Sequence, residues 1–113
     1  MTTIYHNPRC RKSRETLQLL EDKNEDLNIV KYLENPPSKE ELKDIIKLLA
    51  IEPIALVRKN EQIWKDQFKG KELTQEEVID AMIDNPKLIE RPIVVKNNKA
   101  TIGRPPENVL SIL

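Results

Sequence analysis

Along the chain, short apolar runs of strand length alternate with longer stretches in which apolar residues recur every three or four positions, and Pro and Asn mark the joints. Thr2 to Tyr5 is short and β-prone, and it runs into Asn7-Pro8, a turn signal that ends a strand. From Ser13 the spacing becomes helical, with Thr16, Leu17, Leu19 and Leu20 facing inward and Lys23-Asn24 near the close. Asn28 to Leu33, NIVKYL, alternates apolar and polar residues and reads as a second strand. Strand, helix and strand in succession make a right-handed parallel βαβ unit the expected consequence.

Pro36-Pro37 punctuates, and Ser38-x-x-Glu41 then supplies a capping box ahead of Leu42, Ile45, Ile46 and Leu49, the i, i+3, i+4, i+7 spacing of an amphipathic helix. Glu52-Pro53 is expected to start another helical stretch through Leu56 and Val57. Thr74-x-x-Glu77 caps a third, carrying Val78, Ile79, Met82 and Ile83. After Asn85-Pro86, the run Ile93-Val94-Val95 and the segment Ala100-Thr101-Ile102 flank Asn97-Asn98, which suits a tight hairpin needing positive φ. Pro105-Pro106 opens a last helix through Val109, Leu110 and Leu113. The order βαβ, helices, ββα is an α/β arrangement: a thioredoxin-like (glutaredoxin-type) mixed four-stranded sheet with a helical insertion at about 38–86 in a single domain of residues 1–113. No internal repeat and no low-complexity linker divides it.

Composition narrows the role. No apolar run approaches the roughly 18 to 20 residues that span a bilayer, so a membrane-embedded role is not expected. The start MTTIY lacks the basic then apolar pattern of a secretory signal, and a single cysteine fits a reducing compartment, so the expected location is the cytoplasm. The 19 Lys and Arg residues balance 19 Asp and Glu, which removes the global argument for nucleic acid. One Cys and one His fall short of the three or four ligands of a zinc site, and no metal is expected.

The charge is nevertheless placed unevenly. His6 to Arg14, HNPRCRKSR, holds the only cysteine, the only histidine and four cationic side chains, with no acid before Glu15. A helix N-terminus together with cationic neighbours can lower a thiol pKa from about 8.5 to as low as roughly 3.5, and the same groups bind an oxyanion. One loop can thus hold a substrate and attack it. The alternative, a buried inert cysteine, is disfavoured by Arg9 and Arg11 on either side of Cys10. Ser13 stands where C-x-x-C needs its second thiol and Thr16 where C-x5-R needs its arginine, so neither an internal disulfide nor a tyrosine-phosphatase-like cradle can form. His6 lies four residues from Cys10 across a proline, where it would favour the thiolate electrostatically or stand as a solvated loop histidine.

The chain uses 13 lysines and only six arginines, yet three arginines stand far from the loop. Arg58 follows IALV, Arg91 precedes Pro92 and a strand, and Arg104 follows Ile102-Gly103 at the end of the hairpin. Guanidinium groups grip an oxyanion bidentately, as lysine cannot, although 19 acids could equally draw them into surface ion pairs.

The segments YHNPRCRKSRETL, ALVRKNE, NPKLIERPIVV and IGRPPENVLSIL, in this order and spacing, resemble the glutaredoxin-dependent arsenate reductases of the ArsC type over nearly the whole chain. The resemblance implies that Cys10 is the nucleophile, that His6 helps keep it ionised, and that Arg58, Arg91 and Arg104 bind the oxyanion. It makes Pro92 a cis candidate. It also implies reduction of arsenate to arsenite with glutathione as co-substrate, glutaredoxin as partner and no bound cofactor, by a monomer. Arg11 and Lys12 stand where characterised resistance reductases commonly carry smaller residues such as Gly and Thr. Two other readings share the loop: a glutathione-dependent thiol-disulfide oxidoreductase, and an RNA-polymerase-binding regulator like the Spx branch of the superfamily, against which Ser13 speaks because it removes the C-x-x-C switch.

Overall fold

In the computed structural model, which describes Met1 to Leu113, residue contacts group the chain into two units: Met1–Asn35 with Arg91–Leu113, and Pro36–Glu90. No helix is long and apolar enough to cross a membrane.

The first unit is built on a four-stranded sheet of β1 (Thr2–His6), β2 (Leu27–Lys31), β3 (Ile93–Lys96) and β4 (Lys99–Ile102) in the order β2-β1-β3-β4. β1 runs parallel to β2, with His6 opposite Lys31, and antiparallel to β3, with Ile4 opposite Val94. A parallel neighbour cannot follow through a tight turn, so helix α1 (Arg11–Asp22) makes the crossover. β3 and β4 need only the two-residue turn Asn97-Asn98, at φ 50° and 60°, the left-handed conformation that asparagine tolerates. β2 is an edge strand that ends at Lys31, two residues short of the strand expected through Leu33, and of NIVKYL only Tyr32 is buried while Ile29 is 46% exposed.

Ile4, Leu20, Val94, Val109 and Ile112 form the core of this unit, flanked by Leu17, Leu19 and Leu27. Burial of each such aliphatic side chain contributes about 1.5–3 kcal/mol. The C-terminal segment differs from the helix expected: Pro106–Ile112 is a 3-10 helix. At three residues per turn, Pro106, Val109 and Ile112 fall on one line and are all buried, while Leu110 and Leu113 face outward. Thr2 Oγ1 and Lys96 Nζ both bond Glu25 Oε1 at 2.6 Å, tying the starts of β1 and β2 to the end of β3.

The second unit contains α2 (Lys39–Leu49), α3 (Gln62–Gln67) and α4 (Gln75–Asp84). Both capping boxes form, Ser38 with Glu41 and Thr74 with Glu77, and the buried faces are Leu42, Ile45 and Ile46 on α2 and Val78, Ile79, Ala81 and Met82 on α4. The helix expected after Pro53 is a single 3-10 turn, Pro53–Leu56. The backbone then turns extended because its hydrogen bonds go elsewhere: Val57 bridges Ile89, Arg58 N–H donates to the Leu88 carbonyl at 2.7 Å, and Glu90 N–H to the Leu56 carbonyl at 2.8 Å. α3 has no sequence period to reveal it, since Trp64 is its one buried residue; the indole stacks on Phe68 with centroids 5.3 Å apart.

Candidate functional site: a thiol at a helix start between two arginines

The loop that joins β1 to α1 is wound around two small polar side chains. Asn7 accepts the Arg9 N–H on its side chain and the Cys10 N–H on its carbonyl, each at 3.0 Å. Ser13 Oγ accepts the Asn7 N–H at 3.0 Å and lies 2.6 Å from His6 Nδ1. His6, Asn7 and Ser13 are all buried. These bonds fasten the end of β1 to the first turn of α1, and Cys10 is thereby set at the N-cap, its carbonyl accepting the Arg14 N–H at 3.0 Å. A side chain at this position faces the unpaired N–H groups and the positive end of the helix. The Ser13 N–H is directed at the sulfur without closing a full capping hydrogen bond.

Two arginines from the far end of the sequence complete the surroundings. Arg104 Nη2 donates to Cys10 Sγ at 3.3 Å, and Arg104 Nε donates to the Arg91 carbonyl at 2.7 Å. The Arg91 guanidinium lies against Cys10 and the buried phenol of Tyr32. Arg91 precedes β3 and Arg104 follows β4, so the hairpin delivers both to one place. The peptide bonds Arg91-Pro92 and Arg104-Pro105 are both cis. Gly103 permits the close approach of this hairpin to α1: a Cβ there would sit 2.6 Å from Thr16 Oγ1 and 2.9 Å from Pro92 Cγ. The Gly103 N–H donates to the Pro92 carbonyl at 2.9 Å.

The charges decide the state of the sulfur. Burial alone pushes the Cys10 thiol up, but the Ser13 N–H, a hydrogen bond from Arg91 and the charges of Arg104 and Arg91 together outweigh it and hold the thiol below its ordinary value. In return, although burial works against it, Arg91 is held more firmly protonated by Tyr32 and Cys10. His6 moves the opposite way from a charge donor. Burial, then Lys31 and Arg14, lower its pKa, so the imidazole is neutral at pH 7.

Of the residues expected at the site, Cys10, Arg91 and Arg104 come together. His6 is buried against Ser13 and is not the solvated loop histidine that was the alternative, and its lowered pKa leaves it little positive charge to act on the sulfur. Arg58 lies in the second unit, where Nη1 donates to Glu90 Oε1 at 2.9 Å and Nε is 3.8 Å from Glu61 Oε2. Ser13, Asn7 and Tyr32 were not singled out for these roles. Ser13 had one signal, its place three residues after Cys10 in the first turn of a helix, but its partnership with His6 depends on how the chain folds back across seven residues.

A thiol in these surroundings, with cationic donors beside it, is chemically able to act as a nucleophile and to receive an anion. Residues 5–112 match the model of the ArsC family. The uncharacterized protein YfgD of Escherichia coli is 50% identical over 97% of this chain and 94% of its own length. The arsenate reductase of Haemophilus influenzae is 46% identical, with 97% of each chain covered. The solved structure of the arsenate reductase from Vibrio cholerae superimposes with a TM-score of 0.96 at 49% identity, covering 99% of this chain and 97% of that one. The fold is accordingly thioredoxin-like, and with nearly its whole length matched the chain belongs to the ArsC family.

Proposed function

We propose that the protein is an arsenate reductase that uses Cys10 as nucleophile and takes its electrons from glutathione and glutaredoxin. The observation that carries the reading is the Cys10 sulfur at the start of α1 with Arg104 Nη2 at 3.3 Å and Arg91 beside it. Relatives named as arsenate reductases at 41–46% identity support it.

Arsenate, a tetrahedral anion, is drawn to Arg91 and Arg104, whose planar donors match its oxygens. The Cys10 thiolate attacks arsenic; an S–As bond forms as an As–O bond breaks, and the oxygen leaves as water after protonation. Glutathione then displaces a second oxygen, again lost as water, and arsenic now carries two sulfurs. A glutaredoxin thiolate attacks the glutathione sulfur, a disulfide forms between them, and the electron pair of the As–S bond stays on arsenic, reducing As(V) to As(III). Water releases arsenite and returns the Cys10 thiolate. The chain has one cysteine, so the thiols that take up the oxidation come from outside, and the scheme needs no resident cofactor. Arg58 is a third candidate for binding the oxyanion, tested by the effect of Arg58→Ala on the KM for arsenate.

The test is arsenate-dependent NADPH consumption in an assay coupled through glutathione, glutaredoxin and glutathione reductase. Wild-type protein supports turnover, Cys10→Ser abolishes it, and Arg91→Ala lowers kcat/KM for arsenate about 10²-fold or more. No arsenate-dependent consumption by the wild type overturns the reading.

A further inference from the structure

Three stretches of chain meet at one end of the sheet. β1 and β2 run parallel with His6 opposite Lys31, so the Cys10 loop and the residue after β2 leave the sheet side by side. β3 runs the other way, with Tyr5 opposite Ile93, and Arg91 therefore comes in at that same end. The residue after β2 is Tyr32, 1% exposed although Lys31 and Leu33 on either side of it are exposed. The turn that carries it is pinned, since the N–H groups of Glu34 and Asn35 both donate to the Lys31 carbonyl, at 3.0 and 2.9 Å. The buried phenol meets the Arg91 guanidinium, which has hydrogen bonding to Tyr32 on one side and to Cys10 on the other.

The chemistry of the anchor decides what it leaves free. Arg11 and Arg58 meet carboxylates, those of Glu15 and Glu90, and a carboxylate cancels much of the charge of the guanidinium it orients. A tyrosine phenol ordinarily carries no charge at pH 7, so its oxygen accepts an N–H and directs the group while leaving its charge intact. The Arg91 carbonyl does the same for Arg104 Nε at 2.7 Å. Both arginines at the sulfur are thus aimed by neutral oxygens, and their charge stays available to a thiolate and to an anion beside it.

We infer that Tyr32 is a positioning residue for Arg91: its buried phenol oxygen accepts from the guanidinium and holds it where it faces both the Cys10 sulfur and an oxyanion brought to that sulfur. The part it plays toward the oxyanion rests on the reductase reading, whereas its hold on Arg91 beside the sulfur needs no substrate. Without the hydroxyl the ring still fills its space, but the guanidinium, on a long side chain with many rotamers, loses one of the bonds that fix it. Its charge then contributes less to the thiolate, and its fork of donors is no longer set for two oxygens of one anion.

The experiment compares the wild type, Tyr32→Phe, Arg91→Ala and the double variant Tyr32→Phe/Arg91→Ala, each as the full chain, by the rate of Cys10 alkylation across pH and by its slowing with arsenate. Tyr32→Phe should move the alkylation midpoint to higher pH and weaken protection by arsenate about tenfold, the loss expected of one hydrogen bond to a charged group. In the coupled assay it should raise the KM for arsenate and leave the KM for glutathione unaltered. Added to Arg91→Ala it should change none of these further, a dependence that a tyrosine serving only to pack would not show. In the wild type, hindered rotation should give the Arg91 guanidinium protons separate NMR signals, a measurement that does not depend on how well a variant folds. A wild-type midpoint in Tyr32→Phe, an undiminished effect of that substitution on the Arg91→Ala background, or a single averaged guanidinium signal from wild-type Arg91 overturns the assignment. If Tyr32→Phe shifts the midpoint while arsenate protects neither protein, the reductase reading falls and the hold of Tyr32 on Arg91 stands.

Discussion

Arg104 donates from Nη2 to the Cys10 sulfur at 3.3 Å while its Nε is held by the Arg91 carbonyl at 2.7 Å, so the guanidinium is aimed at the thiol by the backbone of Arg91. Charge and direction are both fixed before any substrate arrives. Such a preorganised donor favours the thiolate and spares reorganisation when an anion binds.

Arg104→Ala therefore raises the pKa of Cys10, since it removes one of the charges that offset burial. Arg104→Lys keeps a charge but loses the fork that reaches sulfur and carbonyl together, and it recovers only part of the shift. Rates of alkylation by iodoacetamide across pH, compared with the wild type, check both.

Gly103→Ala is expected to destabilise the protein by about 1–3 kcal/mol, because the added methyl would overlap Thr16 Oγ1 at 2.6 Å and Pro92 Cγ at 2.9 Å. Thr16 also bonds the Lys12 carbonyl at 2.8 Å, which limits its freedom to move aside. The variant should unfold at lower urea with an unchanged slope, and its Cys10 should ionise at higher pH because the hairpin carries both arginines.

Much of this was visible in the pattern of residues. The two capping boxes, the Asn97-Asn98 turn and the βαβ opening follow from local rules, and each forms where its residues call for it. The 3-10 form of Pro106–Ile112 and the extended backbone at Val57 do not, because they answer to the core and to Ile89, partners distant in sequence. At the site, the lone Cys10 among cations drew attention to the loop, and of the rare arginines Arg91 and Arg104 lie beside its sulfur while Arg58 pairs with Glu90 in the second unit. The part of Ser13 was hidden for a similar reason: a serine in a first helical turn reads as a local feature until β1 brings His6 against it.

Ser13→Ala leaves the Asn7 N–H and His6 Nδ1 without their buried partner. The expected loss is about 1–3 kcal/mol of stability. The Cys10 pKa should change little, because the group of residue 13 that faces the sulfur is its backbone N–H, which alanine keeps, whereas Ser13→Thr, which keeps the hydroxyl, should recover part of the stability. Chemical denaturation and the pH dependence of alkylation separate the two effects.

The buried histidine couples folding to pH. Its folded pKa lies below the unfolded value of 6.5, so the unfolded chain binds the proton more readily. The stability contributed by neutral His6 is present above pH 6.5 and is lost as pH falls through the lowered folded value. Denaturation of the wild type at pH 7.5 and pH 5.5 should show the loss. His6→Gln, less stable at pH 7.5, should lose less on acidification.

The most direct test of the central claim is the alkylation rate of Cys10 as a function of pH, measured with and without arsenate. A midpoint below that of free cysteine, with arsenate slowing the reaction at neutral pH, is the result expected of a thiolate held between Arg91 and Arg104 in a pocket for an oxyanion. A midpoint at or above that of free cysteine, with no protection by arsenate, would contradict it.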